Sequence, residues 1–130
     1  MEDFVPFELA KKLKEKGFPQ HITDDAYIVD NYGEDEYNIG DRLPIPLIPD
    51  YMDDAAAPTI SQVLKWLREE KKIHIMIDFW PAGYSAEIFT EIGKDRNSFC
   101  WERYIDECDY YDSYELAALA GVEYCLDNLI

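Results

Sequence analysis

The sequence predicts an α+β fold, with a small antiparallel sheet of three to four strands and about three helices packed on it. Three observations support this prediction. Two segments combine helical spacing of apolar residues with capping signals, one hairpin alternates apolar and polar residues, and 48% of the 130 residues are hydrophobic. A chain of this length can bury a core without the help of disulfides or metals. We therefore expect one domain over residues 1–130.

The first element is a short helix. Pro6 suits a first helical turn, because its missing N–H has no partner to lose there. Leu9, Ala10 and Leu13 share one side of the helix, and Gly17 is a stop signal.

The sequence of residues 21–58 is typical of extended chain and loops. Ala26–Val29 resembles a strand, Asn31–Gly33 a turn, and Tyr37–Ile39 a returning partner strand. Three prolines in Arg42–Pro49 favour an edge or connecting segment, since proline cannot donate to a central ladder. Asp50–Ala57 is expected to be loop.

The second helix has the strongest signals. Thr59 and Gln62 form a capping-box pattern after a proline. The apolar residues at helical spacing are Ile60, Val63, Leu64 and Leu67. We expect this helix to end near Glu70.

A hairpin follows, with Pro81–Gly83 as its turn. Its first strand alternates, with Ile73, Ile75, Ile77 and Phe79 on one face and His74, Met76 and Asp78 on the other. The predicted cross-strand pairs are Phe79 with Tyr84, Ile77 with Ala86, and Ile75 with Ile88. This register places both apolar sets on one face.

The last third predicts a strand, an acidic loop and a helix. Phe99–Tyr104 is the third strand and Asp106–Tyr111 the loop. Asp112 is the expected N-cap of the last helix, with Glu115 repeating the capping-box pattern. The predicted buried stripe of this helix is Ala118, Val122, Cys125, Leu126 and Leu129.

Charge excludes several classes of function. The chain has 28 acidic and 12 basic side chains, which gives a net charge of −16. Residues 21–58 carry −9 and residues 95–130 carry −7, whereas the rest is balanced. A nucleic-acid groove needs lysine and arginine to displace counterions, and an anionic membrane surface needs them too. The sequence therefore predicts neither nucleic-acid nor membrane binding.

The lack of a recognisable targeting pattern and the spacing of the cysteines together predict a cytoplasmic protein. The N-terminus shows no signal-peptide pattern, and no apolar run reaches the length of a membrane span. The three cysteines, an odd number without CxxC spacing, favour free thiols in a reducing compartment.

No residue pattern predicts catalysis or a cofactor. His74 and Asp78 lie four residues apart on a strand, about 13 Å, so they cannot form a catalytic pair. Acidic neighbours of Cys100 and Cys108 disfavour a thiolate, and Cys125 fits a core position. The acidic clusters match no calcium-loop or other metal template. We expect no catalytic, cofactor-binding or metal-ligating residues.

Partner contacts are the remaining candidates. Trp80 lies beside Pro81 at the hairpin turn, where a tryptophan is hard to bury, and such aromatics anchor interfaces. The acidic candidates, which would face a basic protein partner, are Asp106, Glu107, Asp109 and Asp112.

Two stretches carry a resemblance. Ala57–Lys71 with the strand after it, and Tyr111–Tyr124, resemble small uncharacterised proteins from phages and mobile elements of Bacteroides-type gut bacteria. The resemblance implies a two-layer or α-β-α sandwich and transfers no catalytic residue. The hairpin followed by a capped helix also resembles the antitoxin half of some toxin–antitoxin pairs.

Two functions remain open. The first is a non-enzymatic acidic accessory or binding protein of phage or mobile-element origin that acts through a protein partner, as a DNA mimic or an antitoxin-like inhibitor. The alternative is a small hydrolase or transferase that uses two carboxylates in one pocket, with pKa values shifted in opposite directions.

Overall fold

In the described residues, three α-helices are separated by two groups of three strands. The computed structural model describes residues 3–30, 37–92, 100–103 and 110–130. The elements, in chain order, are α1 (Phe7–Glu15), β1 (Asp25–Asp30), β2 (Arg42–Pro44), β3 (Asp53–Ala56), α2 (Ile60–Glu70), β4 (Ile73–Trp80), β5 (Gly83–Ile92), β6 (Cys100–Arg103) and α3 (Tyr114–Asn128). The predicted α+β class is confirmed. The strands form two three-stranded antiparallel sheets, whereas the sequence predicted one sheet of three to four strands.

The chain divides into two compact units, Met1–Thr59 and Ile60–Ile130. The expectation of a single domain over residues 1–130 stays a prediction.

In the first unit, α1 forms where the sequence predicts it. Pro6 is its N-cap, and its buried side chains are Leu9, Ala10 and Leu13. The chain turns after the helix at Gly17, whose φ of +93° is a conformation that favours glycine.

The sheet of the first unit has the strand order β2-β1-β3. Strand β1 contains the predicted Ala26–Val29 segment, and β2 is an outer strand that begins the proline-rich segment, as expected. The prediction of a partner strand at Tyr37–Ile39 is wrong, because those residues are not extended in a ladder and β2 takes their place. The predicted turn at Asn31–Gly33 lies outside the described residues.

The expectation of a loop over Asp50–Ala57 is also wrong in part, because Asp53–Ala56 forms β3. Alanine and aspartate are poor strand formers, so this strand depends on contacts distant in sequence. The side-chain oxygen of Gln20 accepts a hydrogen bond from the Ala56 N–H at 2.7 Å. The N–H of Ala57 donates to the carbonyl of Asp25 at 2.9 Å. The small alanines of this segment are buried, which lets the backbone approach its neighbours closely.

In the second unit, α2 runs over Ile60–Glu70, as predicted, and buries Ile60, Val63 and Leu67. It also buries Trp66, which lies at the margin of the apolar stripe. Strands β4 and β5 form the predicted hairpin with the predicted register at all three expected pairs. Strand β6 extends the sheet in the order β4-β5-β6 and lies within the predicted Phe99–Tyr104 segment.

Helix α3 packs on the hairpin through its small residues. A Cβ added at Gly121 would lie 3.1 Å from the Cγ2 of Ile75, so glycine permits this close approach. Ala118, Val122, Cys125 and Leu126 are buried as predicted, together with Ala117. Leu129 follows the helix and is half-buried.

The prediction that Asp112 caps α3 is wrong by one residue. Ser113 is the N-cap, and its hydroxyl accepts a hydrogen bond from the Leu116 N–H at 3.1 Å. Serine and aspartate are both favoured N-caps, so residue type alone does not distinguish neighbouring candidates.

Candidate functional site: an exposed aromatic hairpin tip

The hairpin between β4 and β5 ends in a tight turn. Trp80 pairs with Gly83, so only Pro81 and Ala82 lie between the paired residues. This turn is one pair tighter than a loop closed by Phe79 and Tyr84. The consequence is that Trp80 is held at the end of a regular ladder.

Phe79 and Tyr84 face each other across the strands. The Tyr84 N–H donates to the Tyr111 carbonyl, so it points away from β4 and this pair is a non-hydrogen-bonded one. Side chains approach most closely in such pairs. The two rings accordingly lie with centroids 5.0 Å apart and planes tilted by 53°.

Tyr111, in the segment before α3, pairs with Tyr84 at the beginning of β5. Its N–H donates to the Tyr84 carbonyl at 2.7 Å, and its carbonyl accepts from the Tyr84 N–H at 2.9 Å. The backbone of Gly83 passes so close that an added Cβ would lie 2.7 Å from the Tyr111 oxygen and 3.5 Å from the Tyr110 Cβ. This contact brings Tyr110 next to the turn.

We call the group Phe79, Trp80, Tyr84 and Tyr110 the aromatic tip. Phe79 is 72% exposed, Trp80 49% and Tyr110 47%, whereas Tyr84 is partly covered. Ile88 and Ala86 of the same sheet are buried, whereas Met76 in the middle of β4 is 52% exposed. Successive residues of a strand point to opposite faces, so Phe79 and Tyr84 lie on one face of the hairpin and Trp80 on the other. Large exposed aromatics are a common mark of interaction surfaces.

The two chain segments that form the tip are acidic, and Lys94, Arg96 and Arg103 lie in the chain between them. Residues 73–92 contain Asp78, Glu87 and Glu91 but no lysine or arginine, and residues 104–130 contain seven acids and again no lysine or arginine. Asp112, two residues after Tyr110, is exposed. The other acidic candidates, Asp106, Glu107 and Asp109, lie outside the described residues.

Of the four tip residues, the sequence predicted one as a candidate partner contact and did not predict the other three. Trp80 is exposed at the turn, as expected. Phe79 was expected on the apolar face with Ile75 and Ile77, but it extends past the covered part of that face. Tyr110 stands in a group of tyrosines before α3, and only the long-range pairing of Tyr84 with Tyr111 reveals where that group lies.

The chemically reactive residues occupy other places. His74 lies four residues before Asp78 on β4, the arrangement that excludes a catalytic pair. Cys125 is buried in α3, and burial raises the pKa of its thiol to about 12, which disfavours the nucleophilic thiolate. In the part of the chain that the structure describes, no three His, Cys, Asp or Glu side chains gather into a metal-binding group.

The chain matches no protein-family model, no curated protein and no solved structure. No helix among the described residues combines the length and apolar character that a membrane span requires.

Proposed function

We propose that this chain is a non-enzymatic binding protein that acts through a basic protein partner. The observation that carries the proposal is the exposed aromatic tip, held at the end of a regular hairpin whose residues 73–92 include no lysine or arginine. Aromatic anchors supply binding energy at the centre of protein interfaces. The surrounding carboxylates favour a partner of opposite charge and speed its approach.

A more specific proposal concerns the biological role. The net charge of −16 suits a DNA mimic that occupies the nucleic-acid site of a nuclease or repressor, or an antitoxin-like inhibitor. The resemblance to small phage and mobile-element proteins supports an accessory role of this kind. A cytoplasmic location is part of the same proposal.

Site-specific photo-crosslinking in a lysate of the native host tests the general proposal. A photoreactive amino acid at Ala82, in the exposed turn, should cross-link a basic protein, whereas the same group at the exposed Leu47 of the first unit should not. The captured protein is then purified, and its association rate with this chain is measured as salt is varied. We expect the rate to fall as salt rises, since attraction between exposed charges decays over about 10 Å at 0.1 M salt.

Two results would contradict the proposal. One is equal cross-linking from the two positions. The other is a purified partner whose binding does not respond to salt.

A further inference from the structure

We propose that the aromatic tip binds arginine side chains of the partner, with the guanidinium plane stacked on Trp80 or Phe79 and its N–H groups on neighbouring carboxylates. This inference rests on the proposed function, which supplies a basic partner. It specifies the chemical group that the binding surface recognises.

The chain already uses its own cations in this way. Among the described residues, three aromatic rings carry one at short distance: Phe4 with Arg42 at 3.8 Å, Phe7 with Lys11 at 4.6 Å, and Trp66 with Lys71 at 5.4 Å. Each distance is from the cationic group to the ring centroid and lies within the range of cation–π attraction. The described side chains place no cation over Phe79 or Trp80. A guanidinium from a partner would meet the exposed parts of these two rings.

Carboxylates stand beside these rings along the chain. Asp78 lies two residues before Trp80 on β4, so strand alternation places both on one face of the hairpin, and the exposed Asp112 follows Tyr110 by two residues. An arginine stacked on Trp80 would therefore have the Asp78 carboxylate on the same face of the hairpin. The hairpin and residues 104–130 contain no lysine or arginine, so the segments that form the tip favour a basic partner over an acidic one.

The shape and hydration of the two cationic groups favour arginine over lysine at an aromatic surface. A guanidinium is planar, stacks on aromatic faces, and presents several donors in a fixed fork that matches a carboxylate. The lysine ammonium is a compact, strongly hydrated charge that loses more hydration on contact with a ring. Attraction by net charge alone does not distinguish the two, so their comparison separates recognition at the tip from bulk electrostatics.

Two short peptides of equal length test the inference, one with arginine alternating with serine and one with lysine in place of arginine. Binding to the whole chain is measured by calorimetry at low salt. We expect the arginine peptide to bind more tightly, and Trp80→Leu to weaken it by about threefold to tenfold while leaving the lysine peptide nearly unchanged. Phe79→Leu should act in the same direction.

Tyr51→Leu is the matched control, because Tyr51 is a 54% exposed aromatic of the first unit outside the tip. Circular dichroism of each variant verifies folding. Equal affinities for both peptides, or unchanged arginine binding in the two tip variants, would refute recognition of arginine while leaving the basic-partner proposal intact. Failure of both peptides to bind would overturn the inference. Failure of the cross-linking experiment as well would overturn the proposed function. Concentration-dependent self-association that Trp80→Leu abolishes would assign the tip to a second copy instead.

Discussion

Gly83→Ala is the substitution that tests most directly how the aromatic tip is held together. Gly83 has a φ of +133°, a conformation that side chains with a Cβ rarely adopt. Its added methyl group would also lie 2.7 Å from the Tyr111 carbonyl oxygen. That oxygen accepts the Tyr84 N–H, so the carbonyl cannot move without weakening the pairing of Tyr84 with Tyr111.

The expected cost has two parts. Backbone strain at a positive φ costs about 1–3 kcal/mol. Loss of the two hydrogen bonds between Tyr84 and Tyr111 adds about 1–3 kcal/mol. Gly17→Ala separates these parts, because Gly17 also has a positive φ, +93°, but an added Cβ there would meet nothing within 4 Å. We therefore expect Gly83→Ala to cost about 1–3 kcal/mol more than Gly17→Ala.

Urea unfolding of the two variants measures the difference in free energy of unfolding, and hydrogen exchange locates it. The amides of Tyr84 and Tyr111 should exchange about five- to 150-fold faster in Gly83→Ala, with no such change in Gly17→Ala. Equal losses of stability in the two variants, with unchanged exchange at both tyrosines, would refute the argument that this contact fixes the tip.

The other predictions concern the core, the cap, the thiol and the charge. Ile77 is half-buried, so Ile77→Ala should cost about 1–2 kcal/mol in urea unfolding, less than the roughly 2–5 kcal/mol expected at the fully buried Ile88; the reverse order would contradict the packing. Ser113→Ala should lower the free energy of unfolding by about 1 kcal/mol, whereas Ser113→Asp should retain most of it. Because the folded-state pKa of Cys125 is raised to about 12, its contribution to stability is complete below its ordinary pKa of 9.0 and is lost as pH rises between those values; urea titrations across that range measure the loss, and Cys125→Ala should flatten it. Stopped-flow kinetics with the partner found by cross-linking tests the charge. Replacing four carboxylates by amides should slow association more than it speeds dissociation. The four residues are Asp106, Glu107, Asp109 and Asp112.

The elements that the sequence predicted well are those with local signals. Proline at a helix start, a capping box before α2 and strict alternation in β4 act within a few residues. The register of Ile75 with Ile88 followed because only one register places both apolar sets on the same face. These signals need no knowledge of the rest of the chain.

The elements that the sequence missed depend on distant contacts. Asp53–Ala56 has the composition of a loop and becomes β3 because β1 and Gln20 satisfy its backbone. The aromatic tip depends on Tyr84 and Tyr111, which lie 27 residues apart. The exposure of Trp80 could be foreseen from its place at a turn, but the approach of Tyr110 could not, since no periodicity encodes it.

The two outer strands of the first sheet have a consequence for self-association. Strand β2 is only three residues long and ends in Pro44, which has no N–H to offer a further strand. Strand β3 is four residues long and begins with Asp53 and Asp54, so a second copy aligned along it would bring like charges together. Natural β-sheets avoid edge-to-edge aggregation by having edge strands that are short, charged or interrupted by proline. An acidic chain with such edge strands can be present at high concentration without its first sheet acting as a template for further strands.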